Sequence, residues 1–149
     1  MQRDVLRPVI HLKTRAQFEA VMAGDTISRT AHFALHRAWL DAPVKTAPAG
    51  PGLDATDVAP RQALFVVPGV WVGTIVPKRW AKRAVTRNAI KRQIYAVTED
   101  LSAQLPVAAH VVRLRAAFAK DQFPSATSDV LKKAVRLELQ QLMKKAVLQ

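Results

Sequence analysis

Seven cations fall within fifteen residues of this 149-residue chain: Lys78, Arg79, Lys82, Arg83, Arg87, Lys91 and Arg92. No acidic residue occurs from Val58 to Thr98. On a helix turning about 100° per residue, Arg87, Asn88, Lys91 and Arg92 share one contiguous face. Arg87 sits one turn before Lys91, and Asn88 one turn before Arg92. Neighbouring like charges repel, and a phosphate backbone relieves that repulsion while releasing counterions. Asn88 adds an amide that can donate and accept, which a purely electrostatic patch would not need. The chemistry predicted is therefore capture of a polyanion, and nucleic acid is the first candidate.

Groups for covalent or acid–base chemistry are not assembled in the same way. No Ser/His/Asp grouping, glycine-rich phosphate loop or paired carboxylate stands out. His11, His32, His36 and His110 lack metal-ligand spacing, so no catalytic residue and no metal ligand is assigned. The chain has no cysteine, which excludes disulfides, thiolate zinc sites, thiol catalysis and iron–sulfur clusters. Its formal charge is +12 and half of its residues are hydrophobic. That composition suits one packed, basic domain over 1–149. No apolar run follows Arg3 and Arg7, and no stretch is long enough for a membrane span, so a cytoplasmic location is expected.

The elements that must position the cations can be read from periodicity. Thr14 and Gln17 have capping-box spacing, and Phe18, Val21 and Met22 follow at helical intervals, predicting a helix over about 14–23. Phe33, Leu35 and Trp39 alternate with His32 and His36, although Arg37 breaks the pattern; a half-buried strand is expected over 30–40. Residues 41–61, rich in Pro, Ala and Gly, read as a mobile insertion. Gln62–Val67 and Val70–Val76 are β-rich runs split by Pro68-Gly69. The basic stretch then leads into a helix that continues to about Leu101 or Leu105, before Pro106. Ala109–Arg115 is a further strand. Ser125, Thr127 or Ser128 can cap a last helix with the apolar stripe Leu131, Val135, Leu139, Leu142 and Ala146. Trp39, Trp71 and Trp80 are expected to pack, with Trp80 also placed to lie against RNA. The order helix, strand, one or two strands, helix, strand, helix predicts an α+β fold, a small sandwich of helices on a short mixed sheet.

Val72-Gly73-Thr74-Ile75-Val76-Pro77-Lys78-Arg79, followed by Ala84-Val85-Thr86-Arg87-Asn88-Ala89-Ile90-Lys91-Arg92, resembles the signature of the bacterial ribonuclease P protein component. The resemblance extends to Phe18, Phe33 and the strand at His110–Arg115, and covers most of the chain outside 41–68. It implies a ribosomal-protein-like domain with a left-handed βαβ crossover. It also implies a subunit of an endoribonuclease whose catalytic centre and Mg²⁺ ions are held by a large RNA, and which matures the 5′ end of precursor tRNA. Carried over by position, Arg87, Asn88, Lys91 and Arg92 dock on the catalytic RNA, and Lys78, Arg79, Lys82 and Arg83 extend that surface. Phe18, Met22 and His36 fall where the family places side chains that face the single-stranded 5′ leader. Departures are Ala89 at a position often basic, Met22 and His36 at positions often aromatic, Pro77 at a position usually small, and a longer loop over 41–68.

Two other functions use the same residues. A structural, ribosome-associated RNA binder needs the basic helix but no leader site. A peripheral membrane binder would set the basic helix on anionic lipid, and its helix should carry large exposed aromatics opposite the charges. Ile90, Ile94 and Val97 instead look sized for packing on a sheet. The expected partners are the catalytic RNA and precursor tRNA, with neither membrane nor DNA.

Overall fold

A computed structural model describes residues 9–40, 65, 67–118 and 129–147. The expected insertion at 41–61, most of the 62–67 run and the caps Ser125, Thr127 and Ser128 lie outside those residues. The described chain runs β1 (Val9–His11), α1 (Arg15–Met22), β2 (Asp25–Arg29), β3 (Phe33–Trp39), β4 (Val70–Ile75), α2 (Ala84–Asp100), β5 (Ala108–Leu114) and α3 (Asp129–Val147). The strands form one mixed sheet in the order β1-β4-β5-β3-β2. β4 is parallel to β1 and to β5, whereas β3 is antiparallel to β5 and β2. The parallel neighbours β4 and β5 are joined through α2, as a βαβ unit requires. The α+β class is as the sequence predicts, with β1 and β2 added to the expected order.

Local chemistry explains where α1 begins and ends. The Gln17 amide N–H donates to Thr14 Oγ1 at 3.2 Å, and Gln17 Oε1 accepts from the backbone N–H groups of Thr14 (3.1 Å) and Lys13 (2.7 Å). This reciprocal box satisfies donors that the first turn leaves free. Gly24 closes the helix against the Arg37 carbonyl, so closely that a Cβ there would collide with backbone. The chain then enters β2 directly.

The sheet is covered on both faces. One face packs Phe33, Leu35, Val70, Val72, Val112 and Leu114 against Ile90, Ile94 and Val97 of α2 and the Leu131/Val135/Leu139/Leu142/Ala146 stripe of α3. The other packs Trp71, Ala109 and Val111 against Ala20 and Val21 of α1, with Phe18 and Met22 at the margin. β3 is therefore a central strand. Phe33 to Ala38 are all buried, which corrects the half-buried reading; the broken alternation at Arg37 reflects cover on both faces. Trp39, expected to pack, is 51% exposed at the strand end, whereas Trp71 is buried and its indole N–H donates to the Val67 carbonyl at 3.0 Å.

One carboxylate ties α3 to the β2–β3 turn. Glu138 accepts from the Thr30 hydroxyl (2.6 Å), the His32 backbone N–H (2.8 Å) and His32 Nδ1 (2.8 Å), and the His32 ring stacks on Phe118 at 3.9 Å. Hydrogen bonds to a charged, largely buried acceptor are worth more than neutral ones. Glu138→Ala should lower stability by about 2 kcal/mol, a drop of roughly 4–8 °C in the thermal midpoint. An unchanged midpoint by circular dichroism would show that the turn holds without this acceptor.

Candidate nucleic-acid interface

The basic segment is built in two parts. The Pro77 carbonyl accepts from the N–H groups of Trp80 and Ala81, both at 3.1 Å. This turn holds Lys78 and Arg79, so α2 does not begin until Ala84. Lys82 and Arg83 lie in the lead-in, with Arg83 extended at the N-cap (φ −86°, ψ 135°) and without a side-chain cap. Arg87 supplies a different lock: its Nη1 donates to the carbonyls of Ala81 (3.0 Å) and Lys82 (2.8 Å). One guanidinium thus fixes the approach to the helix from one turn inside it. Arg79 lies 5.1 Å above the Trp80 ring, which orients that cation beside the same turn.

α2 buries Ile90, Ile94, Val97 and Thr98 against the sheet and leaves its basic side outward. Asn88 and Arg92 are exposed, and Arg87 and Lys91 half-buried. Among the described residues the ion pairs are Arg15–Glu19, His32–Glu138 and Arg136–Asp100. None of the seven cations of the basic segment takes part in them. No described carboxylate neutralises the row.

Phe18, Met22 and His36 lie on the opposite face of the sheet. A Cβ added at Gly73 would sit 2.5 Å from Phe18 Cε1, so the bare backbone of β4 is what lets this ring rest on the sheet. Thr26, His36, Val111 and Gly73 form one row across the strands, and Arg29, Ala34, Arg113 and Ile75 form the next. His36 is only 6% exposed, because Thr26 and Arg113 close around it. Its Nε2 accepts from Arg113 Nε at 3.4 Å, which leaves Nδ1–H to donate to Thr26 Oγ1 at 3.1 Å. Burial, then the charges of Arg113 and Arg29, push its pKa below the ordinary histidine value. Arg29 and Arg113 are the cations of this face that sequence reasoning missed. Arg113 shares strand parity with Val111, but only the strand order β5-β3-β2 brings it beside Arg29 and His36.

A second buried histidine belongs to the framework. His110 Nε2 accepts from Arg37 Nε at 3.1 Å, and Nδ1 faces the Trp71 carbonyl at 3.1 Å. Burial and the adjacent guanidinium lower its pKa to about 4. Arg37 is itself buried, and its Nη2 has no hydrogen-bond partner among the described residues.

Taken together, these features define a mixed α+β domain that carries a cationic helix, unpaired by any described carboxylate, on one side of its sheet and an aromatic, arginine-bearing face on the other. A family model for Ribonuclease P matches residues 6–146, and the chain belongs to that family. It is similar to the ribonuclease P protein component of Bordetella parapertussis, 30% identical over 139 residues that cover 93% of each chain. A second relative is that of Trichormus variabilis, 32% identical over 102 residues, 63% of this chain and 64% of the relative. The fold matches the Staphylococcus aureus RNase P protein solved at 2.0 Å, with a TM-score of 0.58 and 17% identity, covering 91% of this chain and 94% of that one. A further structure of the S. aureus protein gives a TM-score of 0.54 at 17% identity, covering 99% and 93%. Family membership makes the chain a protein component of an endoribonuclease of tRNA 5′ processing, with RNA as its partner in the complex.

Proposed function

We propose that this chain docks on the catalytic RNA of ribonuclease P through the outer face of α2, and holds the 5′ leader of precursor tRNA against the α1 side of the sheet. The observation that carries this reading is the cationic row of α2, which no described carboxylate pairs, in a member of this family. Arg87, Asn88, Lys91 and Arg92 form the grip, and Lys78, Arg79, Lys82 and Arg83 extend it along the lead-in. Phosphates neutralise such a row and release counterions, so assembly weakens steeply with salt. On the other face, Phe18 offers a flat ring for unpaired bases, Met22 a soft neighbour, and His36 with Arg29 and Arg113 a polar, cationic floor. Binding two RNA segments on opposite faces raises substrate affinity by holding the precursor beside the catalytic RNA.

Magnesium is assigned to the RNA. Among the described residues no three of His, Asp and Glu gather into a group able to hold a metal ion. In this proposal the chain's own part is binding and positioning. Among the described residues no helix is long and apolar enough to cross a membrane, and α2 buries Ile90, Ile94 and Val97 in the core.

The test is reconstitution. Adding the chain to the catalytic RNA at low Mg²⁺ should restore 5′ maturation of precursor tRNA; no gain in cleavage would overturn the proposal. The leader site has its own test. Phe18→Ala should spare assembly and weaken precursors with long leaders by about tenfold, in line with the loss of one stacked base. Gly73→Ala, which displaces the same ring, should act in the same sense. A defect that does not depend on leader length would favour an RNA binder without a leader role.

A further inference from the structure

β1 ends at the edge of the sheet with His11, whose ring stacks on Tyr95 of α2 at 3.8 Å between centroids, the planes 17° apart. His11 shares strand parity with Val9, which packs into the cluster beneath α2, so it faces the helix. Tyr95 lies one turn beyond Lys91 and two turns beyond Arg87. At about 100° per residue, Arg87, Lys91, Tyr95 and Asn88 fall within about 100° of one another around α2. The cationic row therefore runs on into a pair of flat rings. Tyr95 is half-buried against the core and held in place, whereas His11 is exposed. One face of the imidazole rests on the phenol ring, and the residue as a whole stays exposed.

A ring already held against a second ring has little freedom left to lose when a third plane stacks on it. Aromatic side chains beside cations are how proteins take hold of unpaired nucleotides, the rings accepting bases and the cations the phosphates. Resting on the reading of α2 as the docking face, we propose that His11, backed by Tyr95, is a stacking platform for an unpaired nucleobase of the RNA gripped by α2. Its role is distinct from that of the cations: it adds affinity without adding to the salt dependence.

The full chain and the catalytic RNA supply the test. His11→Ala should weaken binding about tenfold with an unchanged salt slope, and His11→Phe should stay within about twofold of the parent. Ultraviolet irradiation of the parent complex should leave nucleotide adducts on the peptide that ends at Lys13 and contains His11. His11→Ala binding as tightly as the parent, or affinity kept by His11→Lys and lost in His11→Phe, would overturn the platform. If His11→Ala unfolds, the cross-link decides, and no adduct on that peptide overturns the proposal. A parent chain without salt-dependent binding to the catalytic RNA would instead overturn the docking reading, and the platform with it.

Discussion

Replacing Arg87 and Arg92 together by alanine should weaken binding to the catalytic RNA about twentyfold at 0.15 M salt and lower the slope of log K against log salt by about 2. Two phosphate contacts are lost, each of which releases somewhat less than one counterion. The single variants should not be equal. Arg92 is exposed and without a described partner, so Arg92→Ala removes a contact and little else. Arg87 also donates to the carbonyls of Ala81 and Lys82. Arg87→Ala frees the lead-in that carries Lys82 and Arg83, and should lose more affinity than Arg92→Ala at the same salt. Binding isotherms at four or five salt concentrations measure both quantities. An unchanged slope in the double variant would place the docking surface elsewhere.

Acid should destabilise the fold through His110 well before the carboxylates are fully protonated. The unfolded chain takes up a proton at this histidine near the ordinary value of 6.5, whereas the folded chain resists until about 4. Stability is therefore fully present above pH 6.5 and declines as pH falls towards 4. Between pH 7.5 and 4.5 the contribution lost is roughly 2–3 kcal/mol. The cause is geometric as well as dielectric: a second imidazole N–H would point at the Arg37 guanidinium instead of accepting from it. His110→Gln keeps an acceptor for Arg37 and a donor for the Trp71 carbonyl but cannot take the proton. Its loss of stability over this pH range should be smaller than the parent's by that amount in urea unfolding. Parallel curves for the two proteins would remove His110 from the account. His36, whose pKa is also lowered, acts in the same direction.

What could be read in advance depended on whether the signal was local. The capping box at Thr14 and Gln17 and the stripe from Leu131 to Ala146 are patterns of near neighbours, and the structure places both as expected. The α2 face was legible for the same reason, since one helix carries it. Its start was not, because the Pro77 carbonyl builds a separate turn before the helix. β1 and β2 are three and five residues long, and Asp25, Thr26 and Ser28 give β2 no apolar alternation. They are strands because β4 and β3 offer them edges. Arg37 looked like a fault in a half-buried strand; its partner, His110, belongs to a strand distant in sequence. Arg29, Arg113 and the His11–Tyr95 stack were hidden likewise, since strand order and helix packing bring them together.

The grip of α2 on the catalytic RNA can be tested by tethered cleavage. The chain has no cysteine, so Ala84→Cys supplies a unique thiol. Ala84 is exposed at the start of α2, one turn before Asn88, between the Arg87 and Asn88 sides of the row. Iron–EDTA attached there should cut the catalytic RNA at a few clustered nucleotides, while the same probe at Leu137→Cys, exposed on α3, should cut weakly and without focus. Focused cuts from the α3 probe with none from α2 would contradict the account.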